Sequence, residues 1–351
     1  MFQWQKYHIV DEMKEHGIEI EICSPTEYES VEGANEEILR KISNGSYDLF
    51  MTCLTEKHLY CETLRDIRRK GVPTLLFCPD NLTAPYNHKS IAKEFDLVWL
   101  TAKETEYLFK RWGAKTIFLP YAANPNFLKP VEVNREVLRI GFIGTPHGSR
   151  IDRINTFLKN NIPVTVHTAS SNLENKIIKA PISSYISKLT TSMKYPLGRK
   201  LAIAAIKDKL SHRDIVDENK CLEILEPVPL SNLAATNSMY ALVLSFTDAD
   251  STGVLKHPVP IVNLRNFEIP MSGGIQITTY TDEIASYFED GKEIVLCKNK
   301  EEYIDKAKYY LREDMDGVRQ TMRKNARLRA MNEHTWYNRF EKVFDNLFIK
   351  K

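Results

Sequence analysis

Residues 262–293 read VNLRNFEIPMSGGIQITTYTDEIASYFEDGKE. A loop carrying Asn263 and Arg265 runs into a short apolar turn that holds one acid, Glu268. The chain then passes through Gly273-Gly274 into IQITT, a run with strand character. A carboxylate inside an apolar turn is costly to bury alone. Beside basic residues and a glycine pair, it suits a grip on a sugar hydroxyl while the backbone approaches a phosphate. Helix, glycine turn and apolar strand in this order are one repeat of an alternating α/β chain.

The alternation extends upstream. Strands are expected at Leu138–Ile143, Val164–Thr168, Cys221–Leu225 and Tyr240–Ser245, with helices at Ile151–Lys159 and Leu230–Ser238 between them. Downstream, Lys300–Leu311 and Asp316–Asn332 read as helices, and a last helix capped by Thr335 runs to about Phe348. The first 122 residues alternate separately: helix 3–16, strand Ile18–Cys23, helix Glu36–Ile42, strand Asp48–Leu54, helix Lys57–Lys70 and strand Pro73–Cys78. A short helix at Lys89–Phe95, strand Leu97–Thr101, helix Lys103–Trp112 and strand Thr116–Pro120 complete the series. Strands that are short and apolar on both faces predict parallel sheets covered by helices. The fold class is therefore α/β, with two Rossmann-like doubly wound domains. The expected boundaries are 1–122, a proline-bearing linker 123–133, a second domain 134–333, and a C-terminal helix 334–351 that crosses back to the first domain. The first domain starts directly at a helix, so its sheet is expected to lack its opening strand.

Bulk properties narrow the class. At 351 residues the chain is long enough for two cores. A net charge of +2 gives no global case for a nucleic-acid partner. The six cysteines are scattered, with no C-x-x-C pair, which predicts free thiols in a reducing, cytoplasmic setting and no metal site. Between Lys176 and Leu210 there are eight basic residues and one acid, Asp208. Ile177, Ile178, Ile182, Ile186 and Leu189, then Leu201, Ala205 and Ile206, fall near helical spacing. This basic insertion, about 170–215, is either a solvated helical insert or a surface for an anionic membrane or a lipid-linked acceptor.

Arg265, Phe267-Glu268, Gly273-Gly274, the following strand and Phe288-Glu289-Asp290-Gly291-Lys292-Glu293 together resemble the donor half of the spore-maturation (CgeB-like) glycosyltransferases, which have the GT-B fold of two domains facing across a cleft. The resemblance continues to Glu333-His334-Thr335-Trp336 and Arg339, and back to the strand-glycine turn at Leu138–Thr145, so it spans most of 70–345. It implies transfer of a sugar from a nucleotide-diphosphate sugar to a glycan, lipid-linked or protein acceptor, with the donor as co-substrate and no metal cofactor. It also implies that Glu268 holds the ribose. Related retaining families carry a second glutamate eight residues earlier, where this chain has Pro260.

Breaking a glycosidic bond to a diphosphate builds charge on the leaving group, which preorganised donors stabilise. Gly144 and Thr145, between a strand and a helix, sit at the usual ligand end of a parallel sheet, and the resemblance points to Arg150 beyond them, with Arg153 as the rival. Arg265 either reaches the diphosphate or pairs with Glu268 one helical turn on. Asn263 is a candidate for the sugar, and Gly273-Gly274 for either a close backbone approach or a tight turn. The loop Glu226–Pro229, around Val228, is placed at the base by analogy. In the first domain Asp80, past the strand TLLFCP, is a candidate base for the acceptor hydroxyl or a turn-forming Asp-Asn, with His88 and Tyr86 as alternatives. Two other classes stay open: a sugar-nucleotide epimerase, and a non-catalytic sugar- or nucleotide-binding protein of the same fold.

Overall fold

The computed structural model of the chain describes residues 3–132, 136–169, 190–211, 215, 220–249 and 251–348. They form two compact units, 3–121 with 336–348, and 122–335, each with its own sheet.

The first unit carries β1 (Phe50–Thr52), β2 (Thr74–Cys78), β3 (Leu97–Leu100) and β4 (Thr116–Phe118), parallel and in that spatial order. Every residue of β2 and β3 is buried, as expected for strands covered on both faces. The core joins Leu76, Cys78, Val98 and Leu100 to Ile38 and Ile42 of the helix Val31–Asn44 and to Leu64 and Ile67 of the helix Cys61–Arg69. Ser30 caps the former by accepting from the Gly33 amide at 3.0 Å. The helix Trp336–Leu347 belongs to this unit, and Trp336 packs on Phe77 and Trp99.

Contrary to the expectation from its alternation, Ile18–Cys23 is not a strand: it has no regular secondary structure and joins neither sheet, and Ile20 and Ile22 are 38% and 44% exposed. Alternation of apolar residues predicts a strand only where a neighbour supplies hydrogen bonds, and β1 stands at the sheet's edge with β2 as its one ladder partner.

The second unit is built on a six-stranded parallel sheet of β5 (Val137–Ile143), β6 (Val164–His167), β7 (Leu222–Leu225), β8 (Tyr240–Leu244), β9 (Gln276–Thr279) and β10 (Val295–Cys297), in the order β10-β9-β8-β5-β6-β7. From β5 the chain builds outward through β6 to β7, then returns to the other side of β5 with β8. The helices Ser149–Lys159 and Lys300–Tyr310 supply Ile154, Phe157, Leu158, Tyr303 and Ala307 to its core. The short strand β10 was not among those expected from the sequence. Of the basic insertion, 190–211 is described and ends in the helix Pro196–Leu210; Ile177 to Leu189 lie outside the described residues.

Candidate functional site

The order reversal between β5 and β8 places the C-terminal ends of two adjacent strands at a switch point, where open α/β sheets leave a crevice for ligands. Gly144 follows β5 with φ +144° and donates its amide to the His167 carbonyl at 3.0 Å. Gly148, with φ +56°, precedes the helix Ser149–Lys159. Arg150 folds back onto the turn, donating to the Thr145 carbonyl at 3.3 Å, and lies over the Phe246 ring at 5.4 Å. Phe246 is just past β8 and meets Phe142 of β5 edge-on at 5.6 Å. Arg153 stacks on Tyr303 at 3.9 Å.

The loop that leads to Glu268 is tied to the same strand ends. Asn263 donates to the Phe246 carbonyl at 2.9 Å and accepts from the Arg265 amide at 3.0 Å. Asn266 donates to Ser245 at 3.1 Å. These bonds fix the start of the helix Arg265–Met271, in which Asn266 to Met271 are all buried. Arg265 and Glu268 face each other at 3.5 Å, with side chains 32% and 5% exposed. The contact is made by the buried Nη1 of Arg265, as an ion pair rather than a hydrogen bond. Of the two readings of Arg265, the pair with Glu268 is the one formed.

Gly273-Gly274 end that helix. The Gly273 amide donates to the Pro270 carbonyl at 3.0 Å and the Gly274 amide to the Ile269 carbonyl at 2.9 Å, with φ +75° at Gly273. This is the Schellman arrangement that satisfies the last carbonyls of a helix. A Cβ on Gly273 would lie 3.2 Å from Pro130, and one on Gly274 would lie 2.7 Å from the Asn237 carbonyl. The tight-turn reading therefore accounts for both glycines, and protein atoms fill the space beside them.

Three further side chains lie at these strand ends, none of them among the site residues expected from the sequence. Asp248 follows β8, and burial raises its pKa while Arg153 opposes the rise. Asp208 accepts from Ser251 at 2.8 Å and lies beside Gly148. His167, at the end of β6, bonds Tyr240 at 2.7 Å and the Glu226 carbonyl at 3.3 Å. Asp208 and Asp248 carry no local motif, so only the packing of distant loops reveals them. His167 ties down the start of the Glu226–Pro229 loop, in which Val228 is half-buried.

In the first unit, Asp80 is exposed in the turn after β2, and its carbonyl accepts from Thr83 and Ala84. Its neighbour Asn81 is 1% exposed and holds the ends of β2 and β3 together, donating to Ala102 and Thr105 and accepting from the amides of Thr101 and Ala102. His88, 8% exposed, reaches the Cys53 carbonyl at 3.4 Å through Nε2, while its Nδ1 is buried without a partner. Burial lowers its pKa. Tyr86 packs edge-on against Trp112 at 5.2 Å. All six cysteines are free. Among the described residues, no helix is long and apolar enough to cross a membrane, and no three His, Cys, Asp or Glu side chains form a metal-holding group.

A family model described as glycosyl transferase-like matches residues 204–345, the span that contains β7 to β10 and the Arg265–Glu268 pair. No curated protein matches the chain. Among solved structures, Anabaena Alr3699/HepE in complex with UDP-glucose is similar with a TM-score of 0.53 and 12% identity, over 95% of this chain and 87% of that one. A glycosyltransferase from Rickettsia africae ESF-5 gives a TM-score of 0.54 at 12% identity, over 97% and 88%. A UDP-forming alpha,alpha-trehalose-phosphate synthase from Burkholderia xenovorans, in complex with glucose-6-phosphate, gives 0.52 at 11%, over 98% and 81%. At such identities the likeness is one of fold, that of the two-domain GT-B glycosyltransferases.

Proposed function

We propose that this chain is a glycosyltransferase of the spore-maturation-like type that takes its sugar from a nucleotide-diphosphate sugar held by the second unit. The observation that carries the reading is the Glu268–Arg265 pair, its carboxylate almost wholly enclosed, in a helix tied by Asn263 and Asn266 to the strand end of a GT-B-like sheet. The UDP-glucose complex of a protein of similar fold and the family match over this span support it.

In this reading Glu268 accepts from the ribose hydroxyls. A carboxylate suits this better than an amide because both its oxygens accept. Charge on the departing diphosphate is met by Arg265, by Arg150, and by the amides of the Gly144-Thr145 turn and the start of the helix Ser149–Lys159, with no metal cofactor. The base lies by the Val228 loop. Asp80 and His88 are the candidates to take the proton from an acceptor hydroxyl, which sits on a glycan, a lipid-linked sugar or a protein. Asn263, whose amide is bound to Phe246 and Arg265, acts by holding the loop.

The test is a thermal-shift screen against the common nucleotide-sugars, followed by incubation with the radiolabelled hit, with and without chelator. Label released by hydrolysis or moved to an acceptor, chelator or not, is the expected result. Epimerised donor would overturn the reading in favour of an epimerase. Binding without turnover, or no binding, would leave a non-catalytic protein of this fold.

A further inference from the structure

The helix Pro196–Leu210 is attached to its unit by one side and turns large apolar residues on the other to solvent. On the inner side Ala204 is fully buried, Leu197 and Leu201 are half-buried, and Asp208 accepts from Ser251 at 2.8 Å. On the outer side Ile203, Ile206 and Leu210 are 50%, 54% and 77% exposed. Their spacing, i, i+3 and i+7, puts them in one stripe. At 100° per residue, Lys200 and Lys207 flank the stripe on one side and Lys209 on the other, with Arg199 within it. All four cations are exposed, and the helix's one acid, Asp208, is turned inward. Met193, 51% exposed, adds an apolar side chain just before the helix.

We infer that this face docks on an anionic lipid surface. Water gives an exposed stripe of isoleucine and leucine no return, whereas the headgroup boundary of a bilayer accepts the apolar side chains, and anionic headgroups accept the lysines on both flanks. A protein partner of ordinary composition has no need of cations on both edges of the stripe, and like charges oppose self-pairing of two such faces. The contact is peripheral, through one short helix, so it is reversible and falls with salt. The inference does not rest on the donor site.

Sedimentation of the full chain with vesicles of phosphatidylcholine, with and without phosphatidylglycerol, tests it at low and high salt. Binding to the phosphatidylglycerol vesicles alone, lost at high salt, is expected. Ile203→Gln, Ile206→Gln and Leu210→Gln together should abolish it while the melting temperature and any nucleotide-sugar shift stay unchanged. Lys200→Gln, Lys207→Gln and Lys209→Gln should each weaken it about fivefold, and they carry the test if the triple variant fails to fold. Equal binding to neutral vesicles, equal binding by the variants, or no binding to either vesicle overturns the inference. So does concentration-dependent self-association that the apolar triple removes, which would make a second copy the occupant.

Discussion

Glu268 and Arg265 form an unequal pair: the acid is almost wholly enclosed, and the arginine is about a third exposed. Taking the carboxylate away removes hydrogen bonds to a charged group, worth about 1.5–3 kcal/mol. Calorimetry on Glu268→Ala should show nucleotide-sugar affinity weaker by that amount, and unchanged affinity in a folded variant would remove Glu268 from the site. At His88 the effect is on pH. Its folded pKa lies below the unfolded value because burial disfavours the imidazolium. The unfolded chain then binds more protons than the native one, so stability rises with pH across this window. It is complete above the unfolded value near 6.5 and is lost as pH falls through that value toward the folded one. Melting temperatures of the wild type should therefore drop between about pH 7.5 and 5.5, and His88→Gln should flatten the slope. His167, lowered by burial as well, leaves a residual slope in that variant.

At the scale of elements, the helix Arg265–Met271 shows how a short helix holds a residue in place. Asn263 opens it, Gly273-Gly274 close it, and Ser272 bonds back to the Glu268 carbonyl at 2.7 Å. Gly273→Ala places a side chain at positive φ against Pro130, and should cost about 1–2 kcal/mol in denaturant unfolding. Gly274→Ala meets a backbone carbonyl that cannot step aside, and should cost about 1–3 kcal/mol. A Gly274→Ala protein as stable as the wild type would show that the chain relaxes there. Most elements were legible from alternation and burial, as β2, β3, β5, β6 and β8 show. Ile18–Cys23 was not, because its apolar alternation carries no information about whether a ladder partner is present.

At the scale of the whole molecule, each unit has its own sheet and core, and the second is stitched by one helix. Arg319, Arg323 and Arg327 recur every fourth residue of the helix Asp316–Glu333. Arg319 and Arg323 grip Glu136 at 2.7 and 2.6 Å. Arg323 also donates to the carbonyls of Ser238, Gly273 and Tyr240, and Arg327 to those of Pro125, Leu128 and Met271. This row ties the start of β5 to the glycine turn behind Glu268. Arg319 is 1% exposed, so Glu136→Ala leaves its buried charge with only the exposed Asp316 carboxylate 3.8 Å away and should cost about 3–5 kcal/mol, read from the denaturation midpoint. A loss below about 1 kcal/mol would mean that water replaces the carboxylate.

By itself the sequence determined the α/β alternation, the likeness carried by Arg265 to Gly274, and the one acid of that turn on which the proposed site centres, because these depend on residue type and local spacing. Only the tertiary structure decided that Arg265 pairs with Glu268, that the glycine pair is a helix cap, that Asp208 and Asp248 join the same strand ends, and that the outer face of 196–210 is apolar. The reason is physical: hydrogen-bond partners, burial and exposure belong to atoms brought together from distant segments, and a local pattern contains none of those atoms.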